Sequence, residues 1–202
     1  HTIEQAQASQ YHKHHLIAEC ARYYLDQTIN LAKPHAACNA YLCSLAAEQQ
    51  TQWCTQNIQH QAPHTSSAQH SKHLLFGASN VMINNNAHLT QAAAKSTCQQ
   101  SIHSKLLSDQ AQIHPKPQLE INVQDIECKH AATTGYLDPE ALFFAAARSL
   151  DSHQAHQILL QGFLHDHLEP LPNQKTQTHW QQLIQQILDL NQKTQHTSPK
   201  SI

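Results

Sequence analysis

The chain has 202 residues, a formal net charge of −2 and a pI near 6.9, so no charge excess marks a nucleic acid or an anionic membrane as partner. Only 13% of its residues are Asp, Glu, Lys or Arg, against ~25% in an ordinary domain; Gln, Asn, Ser, Thr and His carry the polarity, which suits a subunit that lives in a complex. Three glycines, Gly77, Gly135 and Gly162, cannot write a P-loop or a GxGxxG fingerprint, which excludes nucleotide binding by a glycine loop.

No apolar run approaches the ~20 residues of a membrane span. The first residues, HTIEQAQASQ, have neither the basic region nor the apolar core of a secretory signal. They also lack an initiator Met, so the expectation is a processed or partial chain. The six cysteines (Cys20, Cys38, Cys43, Cys54, Cys98 and Cys128) form no CxxC pair. That usage predicts reduced thiols and a cytoplasmic protein.

From the N-terminus to about residue 130, short apolar runs recur: Leu16-Ile17, Ile29 to Leu31, Leu74 to Phe76, Val81 to Ile83, Leu106-Leu107 and Leu119 to Val123. Polar, Asn- or Pro-containing segments separate them. Such spacing predicts short strands joined by turns, including the coils of a β-solenoid. Asn84-Asn85-Asn86 is expected to supply left-handed turn conformations that the scarce glycines cannot. The segment from Gln91 to Lys95 reads as helical by composition.

The stretch from Lys116 to Arg148 carries the strongest local signals. Leu119, Ile121 and Val123 alternate with Glu120, Asn122 and Gln124, the period of a strand with one buried face. Cys128 and His130, two apart, share a face on an extended chain. Asp138 then reads as an N-cap, with Pro139 at the first helical position and Glu140 in the first turn.

Three helices are predicted over residues 137–191. The first carries Leu142, Phe143 and Ala146. The second starts at Asp151 with Gln154 completing a capping box, and carries Ala155, Ile158, Leu159 and Phe163 up to Pro170. The third bears Trp180, Leu183, Ile184, Ile187 and Leu188, a helical stripe whose default role is intramolecular core. Residues 192–202 have no apolar periodicity and are expected to form a disordered tail.

At KLLSD (Lys105 to Asp109), KPQLEI (Lys116 to Ile121) and ECKHAATTGYLDPEALFF (Glu127 to Phe144), the chain resembles the SufD branch of the SufB/SufD scaffold family of the SUF iron–sulfur cluster assembly system. SufB-type chains share the Cys-x-His-x-Ala-Thr element; KPQLEI and the preceding LLSD favour the SufD type. The chain departs from the family in Ala131, where Gly is usual after the His, and in LFFAAARSL, where a basic residue and a glycine are usual. The resemblance implies a right-handed parallel β-helix over residues 1–136 and a C-terminal helical domain over residues 137–191, together the C-terminal part of a longer subunit. It implies a non-enzymatic scaffold that pairs with SufB through the β-helix and docks the ATPase SufC through its helices. It places His130 at the SufB interface, as a metal or cluster ligand shared with the partner chain. No cofactor is then expected to stay on the isolated chain, only a transient iron–sulfur cluster or iron in the complex. Alone, the chain could homodimerise through the same surface.

Each candidate has a plainer reading. Cys128 and His130 can be a buried small hydrophobe and a hydrogen-bonded strand-end imidazole; thiolate and imidazole are also good iron ligands, and two are too few without donors from elsewhere. Docking of SufC is expected around Leu142, Phe143, Ile158, Leu159 and Phe163, all of which could instead be core. The His pairs and triplets (His12/His14/His15, His70/His73, His153/His156, His165/His167) read as solvated polar residues. They leave a free-standing Cys/His metal-binding or storage protein as the alternative function. Cys54 and Cys98 have no neighbouring base to make them nucleophiles and read as packing residues. A β-helical polysaccharide-active enzyme ranks last, because carboxylates are sparse.

Overall fold

The structure is a computed structural model that describes the fold of residues 1–196 and the side chains of residues 1–190. Ten strands precede three helices among the described residues: β1 (Thr2–Glu4), β2 (Gln10–Ile17), β3 (Arg22–Leu31), β4 (Ala37–Ala46), β5 (Thr51–His60), β6 (Ser66–Leu75), β7 (Asn80–Leu89), β8 (Thr97–Leu106), β9 (Gln112–Ile121) and β10 (Glu127–Gly135). The odd strands pair in the order β1-β3-β5-β7-β9 and the even strands in the order β10-β8-β6-β4-β2, every neighbour parallel. These two sheets are the faces of a parallel β-solenoid of about five turns. One turn carries Ser44 onto His73, 29 residues later.

Alternation explains the strands. Side chains at every second position point inward and stack on the same position of the next coil, giving rungs such as Leu25, Cys54 and Ile83, or Ile29, Ile58, Ala87 and Leu119. Burying a rung from both sides is what makes short strands of moderate hydropathy hold together. Part of the interior is polar and self-paired. Gln100 Nε2 donates to Gln69 Oε1 at 2.8 Å and to the Asn85 carbonyl at 3.1 Å, and Gln69 Nε2 donates to the Gln56 carbonyl at 3.1 Å.

The turns correct one expectation. Asn84, Asn85 and Asn86 lie within β7. Asn84 and Asn86 ladder outward, with Asn84 Nδ2 on Thr55 Oγ1 at 3.2 Å and Asn86 Nδ2 on Asn57 Oδ1 at 2.7 Å. The left-handed residues are instead Ala8, His35, His64, Lys95 and Asp125 at one corner and Glu19, Glu48 and Gly77 at another. These side chains accept a positive φ because the corner backbone is tied to the next coil: Ala8 N–H donates to the Pro34 carbonyl, His64 to Ala94 and Lys95 to Asp125. At the second corner coils approach so closely that a Cβ on Gly77 (φ +57) would meet the Glu48 backbone nitrogen at 2.8 Å. Gln91 to Lys95 is likewise a turn and not a helix, because a corner must fall there to keep the coils in register. For the same reason β9 ends at Ile121, before Val123.

The helices follow their sequence signals. α1 (Pro139–Ala146) is capped by Asp138, whose carboxylate accepts from the Glu140 N–H at 2.9 Å. α2 (Ser152–Leu168) has the full capping box: Gln154 N–H donates to Asp151 Oδ1 at 2.8 Å, and Asp151 N–H to Gln154 Oε1 at 3.1 Å. α3 (Gln174–His196) buries Ile184, Ile187 and Leu188, with Trp180 and Leu183 packed at the margin, as its stripe predicts. The expected tail of residues 192–202 overlaps the end of α3, and residues 197–202 lie outside the described residues.

α2 and α3 fold back on the even-strand sheet. Leu160, Leu164, Leu168, Ile184, Ile187 and Leu188 share one apolar cluster with Cys43 and Leu45 of β4 and Leu74 of β6. Those strand ends are therefore buried on both faces, which is why LCSLA and KHLL show no alternation in burial. Lys72 of β6 anchors the seam, with Nζ 2.9 Å from Asp166 Oδ2 and donating also to the Phe163 carbonyl.

Candidate functional site

Both predicted ligands sit on β10, the last strand of the even sheet, whose outer edge pairs with no further strand among the described residues. Parallel register puts Cys128 beside Cys98 and His130 beside Gln100. Cys98 and Gln100 are interior residues, 3% and 1% exposed, so Cys128 and His130 continue two interior rungs to the open end of the solenoid. His130 is exposed and Cys128 half-buried because no coil follows to cover them. The Cys-x-His pair therefore faces the mouth of the solenoid, at the end where a second surface can close over it. Lys129, on the opposite face of the strand, pairs with Glu127 at 2.6 Å.

Cys128 packs at the margin of an apolar cluster of Ala87, Leu89, Ala93 and Cys98, together with Leu119, Val123 and Ile126. Burial pushes both thiols up, Cys98 to about 12, so neither is a ready nucleophile. Cys54, wholly buried, is likewise pushed up to about 12 by burial, as its packing role requires. No group of three or more His, Cys, Asp or Glu side chains suited to hold a metal ion occurs among the described residues.

The predicted docking residues do not form one face. Phe143 and Ile158 are exposed, 77% and 53%, whereas Leu142, Leu159 and Phe163 are half-buried. Leu142 lines a 340 Å³ cavity with Phe76, Leu107, Leu137 and Leu160, and Phe163 packs on the shared cluster beneath Lys72, whose Nζ lies 5.0 Å from the ring centre. α1 buries no residue at all. Its apolar surface includes Phe144, which the sequence reading did not single out, with the Arg148 guanidinium stacked 3.5 Å from its ring centre.

The histidines divide, and here the expectation of solvated side chains fails for several. His73 and His167 are buried, and His14, His15 and His70 half-buried. His14 stacks on Tyr41 at 4.8 Å, Tyr41 on His70 at 5.3 Å, and His167 meets Tyr41 edge-on at 5.5 Å. The His167 Nε2–H donates to the His70 carbonyl at 3.1 Å, joining α2 to β6. An imidazole is flat and half apolar, so it packs under a helix where a carboxylate would not. His60, unremarked in the sequence, is held between Thr65 Oγ1 and Ser67 Oγ, both at 2.8 Å. The signal that would have found these positions is the turn-to-turn repeat: Pro34-His35 and Pro63-His64 mark the same corner one coil apart, and the His35 and His64 rings stack at 4.9 Å.

Against this geometry, the family description "SUF system FeS cluster assembly, SufBD core domain" matches residues 1–163. The chain belongs to the SufBD family. Among curated relatives, the iron–sulfur cluster assembly protein SufD of Escherichia coli (strain K12) is 28% identical over 114 residues, 56% of this chain and 27% of that protein. An iron–sulfur cluster assembly SufBD family protein of Synechocystis is 27% identical over 110 residues, covering 54% of this chain and 24% of its own length. SufD of Bacillus subtilis is 29% identical over 84 residues, 42% of this chain and 19% of that protein. The chain thus matches about a quarter or less of the length of these SufBD relatives. The SufBD membership agrees with the solenoid, and none of the described helices is long and apolar enough to cross a membrane.

Proposed function

We propose that this chain is a SufD-type scaffold in iron–sulfur cluster assembly, a cytoplasmic subunit that holds a cluster at the mouth of its solenoid jointly with a second subunit. The cluster is cargo, not a resident group, and the chain contributes positioning rather than catalysis. The carrying observation is the place of Cys128 and His130: two good iron ligands on a last strand whose outer edge is free among the described residues, opening outward. An iron–sulfur cluster takes about four ligands, so two on an open edge fit a site completed by another chain. The free edges of β9 and β10 supply backbone donors and acceptors for a SufB-type solenoid to extend the sheets. The exposed apolar residues of α1 and α2, Phe143, Phe144 and Ile158, would meet a SufC-type ATPase, which supplies the nucleotide chemistry that this glycine-poor chain lacks.

A metal-storage role fits less well. His60, His73 and His167 are committed to packing and hydrogen bonds, which leaves fewer imidazoles for multiple ions.

The test is complementation in cells lacking the native subunit. His130→Ala is expected to fold normally, since the side chain is exposed, and to lower maturation of an iron–sulfur reporter by ~10-fold or more, the usual scale for losing a metal-site group. Co-purification with untagged SufB- and SufC-type partners should accompany rescue by the unaltered chain. Normal maturation with His130→Ala, or recovery of neither partner, would overturn the reading.

A further inference from the structure

Cys98 reads as a packing residue in the sequence, yet the solenoid brings it into register with Cys128 across thirty residues of chain. Both thiols lie on the interior side of adjacent strands and belong to one cluster at the open end.

Two neighbouring thiols can be joined in two ways, and geometry chooses between them. Parallel neighbours stand ~4.8 Å apart with their Cα–Cβ bonds side by side. A disulfide wants its Cβ atoms ~3.8 Å apart, so it would draw two hydrogen-bonded strands together. A thiolate–metal–thiolate bridge, with metal–sulfur bonds of ~2.3 Å, spans up to about twice that and fits the existing spacing. Charge points the same way. Two thiolates balance a divalent cation, so no net charge has to be held beside Ala87, Leu89 and Ala93. Only Cys128 reaches the mouth, and it is the sulfur that an arriving ion meets first. His130 is the next inward-facing position along β10, in register with Gln100.

We propose that Cys98 and Cys128 together form a dithiolate site for one divalent thiophilic cation at the open end of the solenoid. The inference rests on the scaffold reading and deepens it: this chain supplies two sulfur ligands, and the remaining coordination positions face His130 and the partner.

The experiment is titration of the reduced full chain with Cd(II) alone, followed by thiolate-to-metal charge-transfer absorbance and by calorimetry. One equivalent is expected, with the intensity of two thiolates and with water or buffer at the positions that a partner would fill. Cys98→Ser and Cys128→Ser are each expected to halve that intensity and weaken binding by ~10-fold or more, while Cys54→Ser leaves both unchanged. Circular dichroism checks that each variant folds, and if Cys98→Ser does not, Cys98→Ala is used in its place. Unchanged Cd(II) binding in a folded Cys98 variant overturns the dithiolate, as does an intensity lost equally on replacing Cys54. Neither result touches the His130 complementation, so failure of this site and failure of the scaffold reading are told apart.

Discussion

His73 lies inside the solenoid with Nδ1 on Ser44 Oγ at 3.0 Å, and His167 lies on the buried face of α2 with Nε2 on the His70 carbonyl. Burial pushes both imidazoles down to about 3, and His60 down to about 4. Their folded values lie below the ordinary 6.5, so the unfolded chain binds more protons at acid pH. The stability they contribute is complete above about pH 6.5 and is lost as pH falls toward their folded values. By pH 5 each such imidazole costs about 2 kcal/mol. Urea midpoints measured at about pH 7.5 and about pH 5 are therefore expected to drop steeply, and His167→Gln to flatten the drop; equal midpoints would refute the assignment. Residue identity was legible here only in part. Cys128 and His130 could be paired by spacing because both lie on one strand, but Cys98 and His73 are set by neighbours about thirty residues away, and His167 by the β6 strand on which α2 docks.

At the scale of elements, local rules held wherever the deciding partners were local. Asp138 and Asp151 cap α1 and α2 because a cap bonds within its own first turn. They failed at the corners. Nothing local in Asn84–Asn86 forbids a turn; the amide ladder to Thr55 and Asn57 on the preceding coil makes it strand. α2 packs on the sheet as well as on its sister helix, since Leu160, Leu164 and Leu168 share one cluster with Cys43, Leu45 and Leu74 of β4 and β6 and with Ile184, Ile187 and Leu188 of α3. Leu164→Ala is expected to cost about 2–5 kcal/mol and to loosen α2 from the solenoid, seen as faster amide exchange at His73 and Leu74. A loss below about 1 kcal/mol would mean that α2 is not docked as described.

At the scale of the molecule, the helices complete the solenoid as well as following it. Cys43, Leu45, Leu74 and Phe76 are buried beneath them, so a chain ending after Gly135 is expected to self-associate at micromolar concentration. Size-exclusion chromatography against the full chain checks this, and a monodisperse, folded truncated chain would contradict it. By itself the sequence determined the short strands, the capped helices and the Cys-x-His element, and through the motifs that resemble the SufBD family it implied the solenoid. These depend on periodicity, caps and short motifs, which are readable along the chain. Only the tertiary structure decided which residues take the left-handed corners, which histidines are buried, and that His130 opens outward with Cys98 beside Cys128. Those outcomes depend on register between coils about thirty residues apart and on where α2 docks on β6, and such pairings leave little trace in any local stretch of sequence.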